Sequence, residues 1–246
     1  AVLNAESYKN PFGPPVLQVA TKEADWLLNL KKDEKLTVFA ELKDQSSEAL
    51  NVQTQIKGRD PSLNPLVVMT PKSGWWTCTS ERGGGITIWL NTLRYLSKYQ
   101  PLRTVIFTAN SGHELSHLGL DHFLENNSSL VRGAHAWVHL GANFAAKKGQ
   151  VLWQASTQNY MDLGLLELRN ENLKGIQSWP VSSRPLGEAR NIFDGNGDYI
   201  SLLGGNSLFH HPDDKWPESI DMDKLVKLNN MMLKMISSMA NTSKYN

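Results

Sequence analysis

Thr104–Phe123, TVIFTANSGHELSHLGLDHF, decides how the rest of this chain is read. Thr104-Val105-Ile106-Phe107-Thr108 is β-branched and aromatic, and predicts a buried strand. Asn110-Ser111-Gly112 break it. A helical pattern follows from His113, with Leu115, Leu118 and Phe123 for an inward face. Polar side chains at the carboxyl end of a strand meet in a crevice in α/β folds. His113 and Glu114 stand at that point.

His113-Glu114-Leu115-Ser116-His117 also matches HExxH, in which two histidines one helical turn apart bind zinc and the glutamate is the base. The continuation Leu118-Gly119-Leu120-Asp121-His122 is one residue short of the longer zinc signature. HExxH further needs helix on both sides, and Asn110-Ser111-Gly112 deny it on one. Glu114 is therefore read as a strand-end ligand or acid/base group. The plainer reading, that His113 and Glu114 only cap a helix, stays open on local sequence.

At 246 residues, 40% hydrophobic and net charge +1, the chain fits one large α/β domain, or one domain plus a fragment. The balance of charge offers nothing to nucleic acid or an acidic membrane, and no apolar run is long enough to span a bilayer. Cys78 is the only cysteine, so no internal disulfide or cysteine zinc site forms. Localisation is unknown from these features, and Ala1 need not be the native start.

Working outward, Val16–Ala20 predicts a short strand, Thr21 a helix cap, and Lys35–Leu42 a half-buried strand by its alternation. Residues 49–56 alternate again. Leu66-Val67-Val68-Met69-Thr70 reads as a central strand, so two strands ahead of it suggest an antiparallel edge. A helix is expected from Ile86 to about Tyr99. Gly83-Gly84-Gly85 at its mouth fit no phosphate-loop spacing. They suit close backbone approach and an open helix N-terminus able to hold an anion. Ala134–Asn143 and Tyr199–Leu203 are further strands, Leu163–Arg169 lies in a helix, and a Met/Leu-rich helix runs from Met222 to about Met239. Asp194-Gly195-Asn196-Gly197-Asp198 lacks the sixth-position glycine and the acidic twelfth ligand of a calcium loop, and reads as a turn. The fold class is α/β, a mixed, largely parallel central sheet flanked by helices. Strands at about 67–70, 104–109, 136–141 and 199–203 should lie side by side, with helices at about 86–99, 115–125 and 222–239 over the faces.

Taken together, Gln55–Leu96, the stretch around Glu114 and Phe209–Asp221 resemble the co-catalytic zinc aminopeptidases, a family that includes leucyl aminopeptidases, glutamate carboxypeptidase and the transferrin receptor. Residues 1–45 resemble the end of a protease-associated insert, and 46–246 the aminopeptidase-like domain. The resemblance implies two zinc ions at the strand ends, but the ligand positions depart from it. Lys72 stands where the family has a histidine. Glu81 stands for the bridging aspartate, His113 for the general base, and Gly141 for an aspartate ligand. Glu114 and His210 match.

A lysine cation at contact range repels a metal ion, and glycine supplies no donor. The expectation is no cofactor, or one zinc ion on Glu114, His210 and Glu81, with no zinc pair. In a metal-free site Lys72 should pair with Glu81 or Glu114, and Lys72→His with Gly141→Asp should restore zinc affinity. Lys72, Glu81, His113, Glu114 and His210 should converge in one crevice. Catalytic candidates are His113, Glu114, Glu81 and Lys72; substrate-binding candidates are Arg82, Trp75, Trp76, His139, Asn143 and His211. The functional expectation is a hydrolase acting on a small-molecule or peptide substrate with an amide bond. A non-catalytic binding or scaffold domain and a single-zinc peptidase are the alternatives. Oligomeric state is not readable.

Overall fold

A computed structural model describes residues 17, 19–39, 41, 43 and 45–243. After one helical turn at Thr21–Glu23 and α1 (Ala24–Leu28) the chain forms an alternating α/β unit. Its strands are β1 (Val52–Ile56), β2 (Leu66–Pro71), β3 (Val105–Asn110), β4 (Ala136–Leu140), β5 (Val151–Ala155), β6 (Ile176–Ser178) and β7 (Tyr199–Gly204). Interleaved helices are α2 (Thr79–Lys98), α3 (Leu118–Asn126), α4 (Leu130–Gly133), α5 (Gln158–Asn170), α6 (Ala189–Asp194) and α7 (Met222–Asn241).

All seven strands share one sheet, ordered β1-β3-β2-β4-β7-β5-β6. β1 on β3 and β5 on β7 are antiparallel; the other neighbours are parallel. The four strands expected side by side form its centre, so the mixed, largely parallel α/β sheet is what the chain builds. Successive side chains of β2 leave on opposite faces. Leu66 and Val68 pack into the larger core under α2 and α7, and Val67 and Met69 into the smaller one with Leu120, Phe123, Trp137 and Ile192. A strand buried on both faces loses its alternation, hence the unbroken apolar run.

Three helix expectations shift. α2 begins seven residues early, at Thr79, because a carboxylate far along the chain caps it. Asp214 Oδ1 accepts from the Ser80 amide at 2.7 Å and the Ser80 hydroxyl at 2.6 Å, and Oδ2 from the Glu81 amide at 3.0 Å. The helix N-terminus is therefore closed, not open to an external anion. α3 begins at Leu118 instead of near His113, since Ser116 and His117 take left-handed φ of 57° and 66°. α6 lies where only loop and strand were expected, and the 194–198 turn follows it.

The N-terminal expectations fare differently. Val16 and Gln18 lie outside the described residues, and so do Ala40 and Leu42. Residues 35–39 form no strand, and Thr21 lies inside the first helical turn instead of capping it. None of the described residues from 17 to 50 is buried, so alternation there has no apolar face to answer it.

The triple glycine does serve close approach. A Cβ on Gly85 would lie 2.6 Å from Thr70 Oγ1 and 2.8 Å from the Leu140 carbonyl oxygen, whereas one on Gly83 meets nothing within 4 Å. Gly85→Ala should cost about 1–3 kcal/mol through overpacking. Gly83→Ala should stabilise by about 1 kcal/mol through helix propensity. Urea midpoints moving the same way for both would refute this reading of the contact.

Candidate functional site

The carboxyl ends of β2 and β3 lie side by side, with Pro71 opposite Asn110. The Lys72 amide extends the ladder by donating to the Asn110 carbonyl at 2.8 Å. The segments that leave these strands carry Ser73 and His113-Glu114. Capped by Asp214, the first turn of α2 points Glu81 and Arg82 at the same place.

Arg82 is the centre of the cluster. Its Nη2 lies 2.8 Å from Glu81 Oε1 and 2.9 Å from Glu114 Oε1, and its Nε donates to the Ser73 carbonyl. The Ser73 hydroxyl donates to Glu114 Oε2 at 2.6 Å and accepts the His113 amide at 3.1 Å. His210 Nε2 approaches Glu81 Oε1 at 3.4 Å. Glu81 and Arg82 are only 1% and 2% exposed. Neither Glu81 oxygen has a hydrogen-bond partner, so its contact with Arg82 is an ion pair without hydrogen-bond alignment.

Those contacts set the protonation tendencies. Burial raises the Glu81 pKa against the pull of Arg82 and His210. Burial also pulls Glu114 upward, but the Ser73 hydrogen bond and Arg82 outweigh it, and the net shift is down. His113 is pushed down to about 3, by burial first and then by Arg82, and stays a neutral imidazole at ordinary pH.

A second layer lies beneath. His113 Nδ1 is 3.3 Å from Glu188 Oε1, and Glu188 is fully buried. The His113 and His117 rings stack with centroids 4.7 Å apart. The two histidines thus meet face to face across a turn, not from successive turns of a helix, which removes the HExxH geometry.

Glu81, Glu114 and His210 come together through Arg82, and His113 joins them through Ser73. Lys72 sits beside Ser73, but its ammonium forms no ion pair among the described residues; Arg82 holds both carboxylates that Lys72 was expected to meet. Arg82, expected to bind substrate, is instead enclosed between them. His139 is fully buried, with Nδ1 2.8 Å from Ser201 Oγ, beneath the cluster and not on a wall. The Asn143 amide bonds the Glu81 carbonyl at 3.1 Å, and its side-chain oxygen accepts from Asn206 at 3.1 Å. His211 pairs with Asp213 at 3.5 Å near the surface, Trp75 is half-buried and Trp76 is exposed. Ser73, Glu188 and Asp214 received no role from sequence. Only Asp214, in the Pro212-Asp213-Asp214 segment, carried a local signal.

Strain gathers here. Of eight non-glycine residues with positive φ among the described residues, six are Trp76, Cys78, Ser116, His117, Asn143 and His210, on the segments that build this cluster. Such backbone persists where surrounding structure enforces it, and concentrates at functional sites. A cavity of about 470 Å³ opens to one side, between Leu50, Asn51, Ser111, Gly112, Leu118 and His122, and none of the charged groups lines it. Among the described residues, no group of three or more His, Cys, Asp and Glu side chains is arranged to hold a metal ion. No helix among them is long and apolar enough to cross a membrane.

With this geometry in view, the fold matches solved aminopeptidase structures. The zinc aminopeptidase BSAP of Bacillus subtilis superposes with a TM-score of 0.67 at 14% identity, over 80% of this chain and 51% of that one. The aminopeptidase of Aneurinibacillus sp. strain AM-1 gives 0.66 at 12% identity, over 80% and 49%. A peptidase M28 precursor of Shewanella amazonensis SB2B gives 0.63 at 15%, over 79% and 45%. The chain has the aminopeptidase-like α/β fold and spans about half the length of these structures. A vacuolar membrane protease of the yeast Vanderwaltozyma polyspora is 34% identical over 87 residues, 33% of this chain and 9% of that protein. No family model matches the chain.

Proposed function

We propose that this is an aminopeptidase-fold hydrolase of amide or peptide-like substrates that works without a zinc pair, with a guanidinium set between the two acids of its site. The observation that carries the reading is the bridge by Arg82 Nη2, 2.8 Å from Glu81 and 2.9 Å from Glu114. A zinc pair needs a bridging carboxylate and several further donors around each ion. Here a guanidinium lies between the two carboxylates best placed to help, so the residues present do not fit the pair. Nor does Gly141 leave room for a ligand, since a Cβ there would meet His139 Cε1 and Leu203 Cδ2 at 2.8 Å. The exchange Lys72→His with Gly141→Asp is therefore no route back to zinc.

In this reading neutral His113 accepts a proton from water. The water oxygen adds to the amide carbonyl carbon, and the proton passes to the departing amine nitrogen as the C–N bond breaks. Lys72, half-buried beside Ser73 and outside the Arg82 bridge, supplies in this reading the positive charge that stabilises the carbonyl oxygen as it becomes negative. In this reading residues 46–246 are the aminopeptidase-like unit, and residues 1–45 resemble the end of a protease-associated insert.

Metal analysis of the purified protein, with hydrolysis of a panel of aminoacyl and peptidyl amides with and without chelator, tests the proposal. Zinc below one equivalent and turnover indifferent to chelator are expected. Two tightly held equivalents, or turnover abolished by chelator, would sink it. A second reading, a non-catalytic binding or scaffold domain, is favoured by one fact: Glu81 and Arg82 are almost sealed from solvent. Metal-free protein with no turnover on any amide would leave that reading standing.

A further inference from the structure

Glu188 has no place in the proposed chemistry so far, yet it is a carboxylate with no exposed surface. It lies between two side chains at the end of β3. Oε1 is 3.3 Å from His113 Nδ1, and Oε2 accepts from Asn110 Nδ2 at 3.3 Å. Asn110 is itself oriented by the Thr108 hydroxyl, which donates to its Oδ1 at 2.7 Å, so its amide nitrogen faces Glu188. Three residues on, on the same side of α6, Asn191 does for His117 what Glu188 does for His113. Asn191 Oδ1 is 2.7 Å from His117 Nδ1, and its Nδ2 donates to Asp121 Oδ1 at 2.7 Å, which leaves the oxygen facing the ring. The two rings stack at 4.7 Å with an interplanar angle of 25°. Gly187 makes this approach with φ of +66°, and a Cβ there would fall 2.8 Å from His139 Cε1.

We propose that Glu188 is a positioning residue: from the start of α6 it holds the proton of His113 on Nδ1, while Asn191 and the stacked His117 fix the plane of the ring. A carboxylate accepts and does not donate, so a neutral imidazole facing it keeps N–H on the near nitrogen and its lone pair on the far one. Nε2 of His113 is then the basic atom. Orientation of a base by a buried carboxylate is a recurring device in hydrolytic sites. This inference rests on the reading of the strand-end cluster as the working site, but its test does not depend on turnover.

The test is the long-range proton–nitrogen spectrum of full-length protein carrying 15N-labelled histidine near neutral pH. His113 is assigned by the signals lost in His113→Asn. A single His113 tautomer protonated on Nδ1 is expected in the unmodified protein. In Glu188→Gln the glutamine oxygen should stay on Asn110 Nδ2, which turns the new amide N–H toward His113 Nδ1. The tautomer should then invert to Nε2–H. A structural role for Glu188 alone would loosen the fold without inverting the tautomer. Protonation on Nε2 in the unmodified protein overturns the proposal, even if the variant fails to fold. So does a Glu188→Gln protein that keeps Nδ1–H. Loss of the hydrolase reading alone, through absent turnover, would leave these spectra as stated.

Discussion

Arg82→Met is expected to lower folding stability by about 3–5 kcal/mol, the usual result of removing one partner from a buried ion pair. The side chain replaced is 2% exposed and serves two carboxylates and a backbone carbonyl at once. Methionine fills much of the volume but leaves Glu81 and Glu114 facing each other without a cation. Glu81 already lacks hydrogen-bond partners, which leaves it only the His210 ring at 3.4 Å. The readout is the urea midpoint, with the slope checked for a change in the unfolded state. Arg82→Lys should lose less, because it keeps a charge near both carboxylates but gives up the bond from Nε to the Ser73 carbonyl. Adding Glu81→Gln and Glu114→Gln to Arg82→Met should recover much of the loss, since the penalty is the unpaired charge and not the missing attraction. A midpoint for Arg82→Met within about 0.5 kcal/mol of the parent, the range of an ordinary surface change, would show that the bridge is not holding the site.

The part of this architecture legible from sequence is the part set by local burial. β2, β3, β4 and β7 carry continuous apolar runs because both faces of a central parallel strand are covered. α7 declares itself by its spacing, with Leu225, Leu228, Met232, Met235 and Met239 all buried. β5 and β6 were missed: β6 is three residues long, and Val151–Ala155 is too short and mixed to stand out from a loop. The start of α2 was misplaced because its capping group, Asp214, lies 134 residues from Ser80 and leaves no mark beside the helix. Over residues 35–39 the expected strand does not form for the converse reason, a local pattern with no buried partner.

The same division runs through the site. His113 and Glu114 could be singled out because the end of a strand is visible locally, and Glu81 through the family resemblance. Which cation they meet could not. Lys72 and Arg82 are both basic residues near the end of β2, and sequence favoured Lys72 since it stands at a ligand position. The choice falls to Arg82 because the capped first turn of α2 carries it inward, where one nitrogen, Nη2, meets both acids. Glu188 was invisible for another reason: its partners, Asn110 and His113, lie more than 70 residues away.

Acid should unfold this protein well before its carboxylates titrate. His113 and His139 are held down at about 3 and His117 at about 4, in each case chiefly by burial. In the unfolded chain each returns to about 6.5. Below that value the unfolded state takes up protons that the folded state refuses, so stability falls as pH falls. Each group contributes about 1.4 kcal/mol per pH unit in that window, or about 4 kcal/mol per unit for the three together. Their contribution is complete above about pH 6.5 and lost progressively toward the folded values. Glu114, shifted down, adds a loss of the same sign below its ordinary range. Glu81, shifted up, acts the other way, because the folded state binds its proton first as pH drops. Asp121, raised by burial, acts in the same sense as Glu81, while His135, lowered by burial, adds to the loss from the other histidines. A total stability toward the lower end of about 5–15 kcal/mol is then exhausted within about one to two units of acidification below pH 6.5. The urea midpoint should be level between pH 7 and 8 and fall steeply from about pH 6. His117→Asn, which removes one of the three titrations, should lessen the slope by about a third. A midpoint unchanged between pH 7 and 5 would mean that these rings take up protons without unfolding the chain, and that the buried, neutral imidazole assigned to His113 is wrong.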